Sequence, residues 1–167
     1  CAAWGLAQDQ AWATSRDLDG AVAAWRRGCA LQHGPSCRHL AESYAFGEGI
    51  AVYEETAAQF FRQGCEHDDG LSCVMLAERV NAGEARVVLT RGCDLGEAHS
   101  CGLLGEMYRD GVGGTADLAR ARAVLERGCR LGEPSSCTAL GRVVASERSE
   151  EAITSAEALH LRACNGG

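Results

Sequence analysis

Residues 100–137 read SCGLLGEMYRDGVGGTADLARARAVLERGCRLGEPSSC, and this stretch decides the fold. Ser100 suits the N-cap of a helix in which Leu104, Met107 and Tyr108 fall at helical spacing. Gly111, Gly113 and Gly114 stop that helix. Asp117 then caps a second helix, whose apolar stripe of Ala121, Val124 and Leu125 ends at Gly128. The turn RLGEPSS leads to Ser136, which opens another helix of the first kind. Cys129 and Cys137 therefore lie at the end of one helix and the start of the next, across a tight turn.

The same frame, Gly-Cys-x7-Cys, recurs as Cys29/Cys37, Cys65/Cys73 and Cys93/Cys101. The first cysteines stand 36, 28 and 36 residues apart, a period that means stacked repeats. Other positions keep register with them. Leu40, Leu76, Leu104 and Leu140 follow each second cysteine by three residues, with Ala41, Ala77, Gly105 and Gly141 next to them. Tyr44, Val80, Tyr108 and Val144 follow by seven. Trp25, Phe61, Leu89 and Leu125 precede each first cysteine by four residues, and Ala21, Ala57, Ala85 and Ala121 by eight. Large residues alternating with small ones at fixed spacing are expected to be the core between antiparallel helices.

The third unit departs from this register. Only 19 residues separate Cys73 from Cys93, against 27 between Cys37 and Cys65, and Asn81-Ala82-Gly83 replaces the Gly-x-Gly loop of Gly47/Gly49 and Gly111/Gly113. The expectation is that both helices there lose about one turn, through a neutral deletion or to make a notch in one face.

Composition bounds the rest. The chain has 167 residues, 46% of them apolar and 5% aromatic, with a net charge of −7. That charge argues against nucleic-acid binding. All sixteen basic residues are arginine, so chemistry that needs a lysine is excluded. No apolar run approaches the ~20 residues of a membrane span. Ten regularly placed cysteines point to disulfides and an oxidising compartment. Closing so short a loop stabilises by roughly 2–3 kcal/mol in the chain-entropy model. Free thiols and structural zinc are the alternatives, and zinc ordinarily wants two closer ligand pairs per site.

Scattered motifs add little chemistry. His33, His67 and His99 recur near the turn before the second cysteine and read as solvated turn residues. Arg27, Arg91, Arg127 and Arg162 precede the first cysteine by two residues, where a cation suits the helix dipole, or they form a ladder that reads an acidic partner. Cys1 reads as the second cysteine of a preceding pair, which would make the chain an excerpt of a longer array, or as the lipidated first residue of a lipoprotein. Cys164 reads as the first cysteine of a following pair.

The pattern S-C-x2-L-G-x2-Y-x2-G-x-G followed by D-x3-A-x3-L-x2-G-C-x-L-G resembles the Sel-1-like repeat, a relative of the tetratricopeptide repeat. The Cys-x7-Cys spacing is similar to that of the Helicobacter cysteine-rich protein group. The resemblance implies an all-α fold, an αα-hairpin repeat solenoid in a right-handed superhelix with one disulfide per repeat. It covers residues 1–167 as one array of about four to five helix pairs, the third shortened and the terminal ones incomplete. It further implies a secreted, periplasmic or outer-membrane-anchored scaffold that binds a protein or peptide. Its alternative is an envelope β-lactam or peptidoglycan-related hydrolase or penicillin-binding module. A serine β-lactamase of the Ser-x-x-Lys type is not available without lysine. No catalytic residue, metal site or cofactor is expected. Arg38, Glu42, Glu78, Glu106, Arg109 and Arg142, on the first-type helices, form the expected binding surface, because those helices line the concave face in related repeats.

Overall fold

The structure, a computed structural model, describes residues 15–146; Cys1, Arg162 and Cys164, and the expectations placed on them, lie outside these residues. Among the described residues there are eight helices and no strand. They are α1 (Ser15–Ala30), α2 (Gly34–Phe46), α3 (Glu54–Glu66), α4 (Gly70–Ala77), α5 (Ala82–Asp94), α6 (Ala98–Asp110), α7 (Leu118–Arg130) and α8 (134–146). Each helix packs on its chain neighbours, and α2 with α4, α4 with α6, and α3 with α5 also touch. That pattern is a solenoid of helix pairs, in which each unit buries its apolar face against the next.

The core is accordingly strung along the chain. Trp25, Phe61, Leu89 and Leu125 are buried one per unit, as are Ala21, Ala57, Ala85 and Ala121. Leu40, Leu76 and Leu104 are buried on the other helix of each pair, whereas Ala139 and Val143 take that part in α8 and Leu140 is half-buried.

Four disulfides join Cys29 to Cys37, Cys65 to Cys73, Cys93 to Cys101 and Cys129 to Cys137, with Cα atoms 4.6–4.7 Å apart. Each closes a turn of one design. The amide of His33, Asp69, Glu97 or Glu133 donates to the carbonyl of Gly28, Gly64, Gly92 or Gly128 respectively. The residue before that donor is left-handed: Gln32 (φ 60), Asp68 (φ 64), Gly96 (φ 87) and Gly132 (φ 92). This is the Schellman stop of a helix C-terminus.

The glycine of the Gly-Cys frame has a steric reason. A Cβ on Gly64, Gly92 or Gly128 would collide with the hydroxyl of Ser72, Ser100 or Ser136 in the next helix. On Gly92 it would also stand 3.0 Å from Cys73 Cβ of the preceding unit. Glycine and serine thus bring two helices of one hairpin, and the hairpin before, into close approach.

Two expectations are corrected here. Ser100 does not cap α6: the helix starts at Ala98, Glu97 is its N-cap, and Ser100 is buried in the first turn with an unpartnered hydroxyl. The cap therefore falls three residues before the small serine that packing requires. In the third unit only the first helix is short. α4 has eight residues where α2 and α6 have thirteen, while α5 keeps the thirteen of α3 and α7. The loop 78–81 has four residues in place of the seven of 47–53 and 111–117. Asn81 caps α5, its side chain accepting from the Glu84 amide, so no Gly-x-Gly loop is needed.

Candidate functional site

The cut-back α4 leaves a groove of about 470 Å³. Ala85 and Leu89 of α5 form its buried floor, and half-buried Leu103 and Met107 of α6 form one wall. Val80 and Val112 close its ends. Three carboxylates, Glu78, Glu106 and Asp110, complete the lining, and no cation contributes to it. In the unit before, full-length α2 continues to Phe46, and Tyr44 stacks on Phe60 at 5.6 Å. The corresponding stretch of the third unit is loop.

The six surface residues named from sequence divide into two groups. Glu78 and Glu106 stand on the groove rim, with side chains 60% and 42% exposed. Arg142 lies 3.9 Å from Glu106, and Arg109 grips Asp110 through hydrogen bonds of 2.7 and 2.6 Å. Those bonds hold the Asp110 carboxyl below its ordinary value. Arg38 and Glu42 are elsewhere, in the seam between the first two hairpins. Arg38 donates to Glu42 at 2.9 Å and lies 3.2 Å from the buried Asp69 carboxylate at the N-cap of α4. His39 meets Glu42 at 2.9 Å through Nδ1 and Arg38 at 3.4 Å through Nε2, and its ring stacks on Trp25 at 5.3 Å. Burial alone would push Glu42 up, but the hydrogen bonds from His39 and Arg38 hold it below its ordinary value. Both imidazole nitrogens are committed to this packing network.

Two of the recurring arginines, Arg91 and Arg127, act within the chain. Arg91 sits in the last turn of α5, but its guanidinium reaches back to the carbonyls of Cys65 and Glu66 and to Asp68 at the end of α3. Arg127 does the same for the carbonyl and side chain of Asp94. The dipole argument placed them correctly near carbonyl ends, but the carbonyls belong to the preceding unit. Among the histidines, His33 caps α2 and His67 ends α3, while His99 lies 3.7 Å from Glu133.

A second cleft, of about 390 Å³, lies between α5 and α7. Arg86 stacks over Tyr108 at 4.0 Å and donates to the Thr115 carbonyl, and Arg120 is paired with Asp117 at 3.2 Å. Its cations are spent on holding the 111–117 loop. Among the described residues, no group of three or more His, Cys, Asp or Glu could hold a metal ion, and no helix is long and apolar enough to cross a membrane.

Stacked helix pairs of this kind recur in known structures. A Sel1 repeat protein from Oxalobacter formigenes superposes with a TM-score of 0.61 at 18% identity, over 72% of this chain and 51% of that one. The fold is that of the Sel1-like repeat proteins. Helicobacter pylori cysteine-rich protein B matches with a TM-score of 0.59 at 22% identity, over 76% of this chain and 97% of its own. A protective antigen of uropathogenic Escherichia coli strains, with an SLR fold, matches at 0.72 and 17% identity, over 86% of this chain and 32% of that antigen. The chain thus spans about half the length of the first of these and a third of the antigen. No protein-family model and no curated protein matches the sequence. The likeness shows the solenoid fold, whereas the four disulfides and the groove beside the shortened α4 are read from this chain itself.

Proposed function

We propose that this Sel1-like array is a non-enzymatic scaffold that binds a protein or peptide partner in an oxidising compartment, secreted or periplasmic. The observation that carries the reading is the open apolar groove beside α4, bordered by exposed carboxylates. Sites that bind are concave and mostly apolar with a few polar groups, and this groove has that make-up. The compartment is supported by four bridges, all formed by cysteines that are otherwise spaced for no metal. A hydrolase of the serine–histidine type would need a free histidine base beside its nucleophile. His39, the histidine held against a carboxylate at 2.9 Å, spends its other nitrogen on Arg38.

The test is photo-crosslinking in the producing cell, with benzoylphenylalanine at Met107 in the groove wall and, as control, at exposed Glu126 of α7. A discrete adduct formed at position 107 and not at 126 is the expected result. Equal adducts at both positions, or none at 107, would count against a binding scaffold. Alkylation of the protein without prior reduction tests the compartment: the eight paired cysteines should not react.

A further inference from the structure

We infer that the groove of the shortened unit takes a bulky apolar side chain from a partner segment that carries arginine or lysine beside it. The inference deepens the scaffold reading and rests on it. Shortening α4 removed the helical turn that, in the preceding unit, carries Tyr44 onto Phe60. The surface so uncovered is not polar. Leu89 remains 2% exposed at its floor, and Leu103 and Met107 flank the opening. An apolar recess of this kind, rimmed by polar groups, marks an interaction site. Met107 suits it, because an unbranched thioether repacks around differing guests.

The rim decides the sign of the partner. Glu78, Glu106 and Asp110 are the charged groups in the lining, and all three are at least 40% exposed at the side chain. Each has an arginine near it, but only Asp110 is tightly paired, to Arg109 at 2.6 Å. Arg79 stands 3.5 Å from Glu78 while donating to the Met75 carbonyl at 2.7 Å and lying over Phe61, and Arg142 stands 3.9 Å from Glu106, so Glu78 and Glu106 are the carboxylates a partner's cation would meet. The chain as a whole carries −7. An acidic segment would meet repulsion at the rim and from the chain at large, whereas a cationic one gains at both ranges.

The two methionines of the chain provide the readout. Met107 lines the groove, and Met75 packs against the Ala57, Phe61 and Leu76 cluster outside it. With methyl-labelled methionine, the probe is a short synthetic peptide with a Leu-Leu centre and two arginines on each side. The controls are the same peptide with glutamates for the arginines, and with Ser-Ser at the centre. The expected result is a shift of the Met107 methyl signal with Met75 unmoved, and binding at least about tenfold tighter than either control. Binding should weaken at about 0.5 M salt. The double variant Glu78→Gln/Glu106→Gln, both on exposed positions, should bind about tenfold more weakly while the Met75 signal stays in place. Equal binding of the glutamate-flanked peptide overturns the inference. So does binding that moves amide signals elsewhere while Met107 is still, although that outcome leaves a scaffold with a different surface. If no peptide binds but the crosslink at position 107 forms, the partner chemistry stated here is wrong and the scaffold reading stands. Failure of both removes the two together.

Discussion

Replacing Gly92 by alanine probes the close approach that Gly64, Gly92 and Gly128 each make to a serine. The new Cβ would lie on the Ser100 hydroxyl, 2.9 Å from Ser100 Cβ and 3.0 Å from Cys73 Cβ. Neither neighbour has room to retreat. Ser100 is fully buried and adjoins Cys101, which is bridged to Cys93 beside the mutated position. Cys73 is fully buried and bridged to Cys65. Overpacking costs about 1–3 kcal/mol, and the upper end applies where both sides are tied. Alanine returns about 1 kcal/mol of helix propensity. The net loss is therefore about 2 kcal/mol, a fall of about 4–8 °C in Tm for a chain of this size. Gly83→Ala is the matched control, since its Cβ meets no more than the Asn81 side-chain oxygen at 3.3 Å in the first turn of α5. Thermal and urea melts of the oxidised proteins should show Gly92→Ala destabilised and Gly83→Ala unchanged or improved. Adding Ser100→Gly to Gly92→Ala should recover part of the loss, with the Cys73 contact remaining. A Gly92→Ala protein as stable as Gly83→Ala would refute the packing argument, and with it the reason given for Gly64 and Gly128.

Gln32 occupies the left-handed turn position that Gly96 and Gly132 fill elsewhere, so Gln32→Gly should raise the urea midpoint, by about 0.5–1 kcal/mol in stability. A lower midpoint would mean that the Gln32 side chain contributes more than the backbone costs. Arg91→Lys should lose about 1 kcal/mol, because an ammonium cannot reach the Cys65 and Glu66 carbonyls together as the guanidinium does; denaturant melts would show it. Glu42 has a folded pKa held below the ordinary 4.5, so its contribution is present above that value and is lost as pH falls through the folded pKa. The stability difference between the native protein and Glu42→Gln should therefore be constant near neutrality and shrink below about pH 4.5, which melts across pH would check.

Positions counted from the cysteines were legible because a solenoid repeats its contacts at fixed offsets from its anchors. Phe61, Leu89 and Leu125 share one offset, are all buried, and differ only in how much of the same gap they fill. Helix starts were less legible. Ser100 has the composition of a cap, yet its small size is needed three residues inside the helix against Gly92, and glutamate caps instead. The seam around Arg38 was missed for a different reason. Its partner Asp69 lies 31 positions later and belongs to the next hairpin's N-cap, a relation no local spacing announces. Arg91 and Arg127 carried a signal that could have been followed: an arginine two residues before a bridged cysteine lies one unit away from the preceding helix end in a stacked array.

The location of the groove follows from the same anchors. α5 is held by residues counted back from Cys93: Gly92 and Leu89 in the core, Arg91 on the end of α3, and Ala85 farther along. Each residue removed between these would turn the remainder by about 100° and carry them out of the core. α4 is held by residues counted forward from its N-cap Asp69, through Ser72 and Cys73 to Leu76. Beyond Leu76 only half-buried Ala77 and Val80 touch the core clusters. Residues can therefore be lost at this end of the helix, far from the bridge, without displacing a fully buried side chain. The cysteine spacing counts the missing residues, and the intact Ala85 and Leu89 offsets place the loss ahead of α5. A notch in such an array then opens beside the two full-length helices that follow. Half-buried Leu103 and Met107 flank it here over the buried Ala85 and Leu89, which is why the groove is apolar although the loop at its mouth is not.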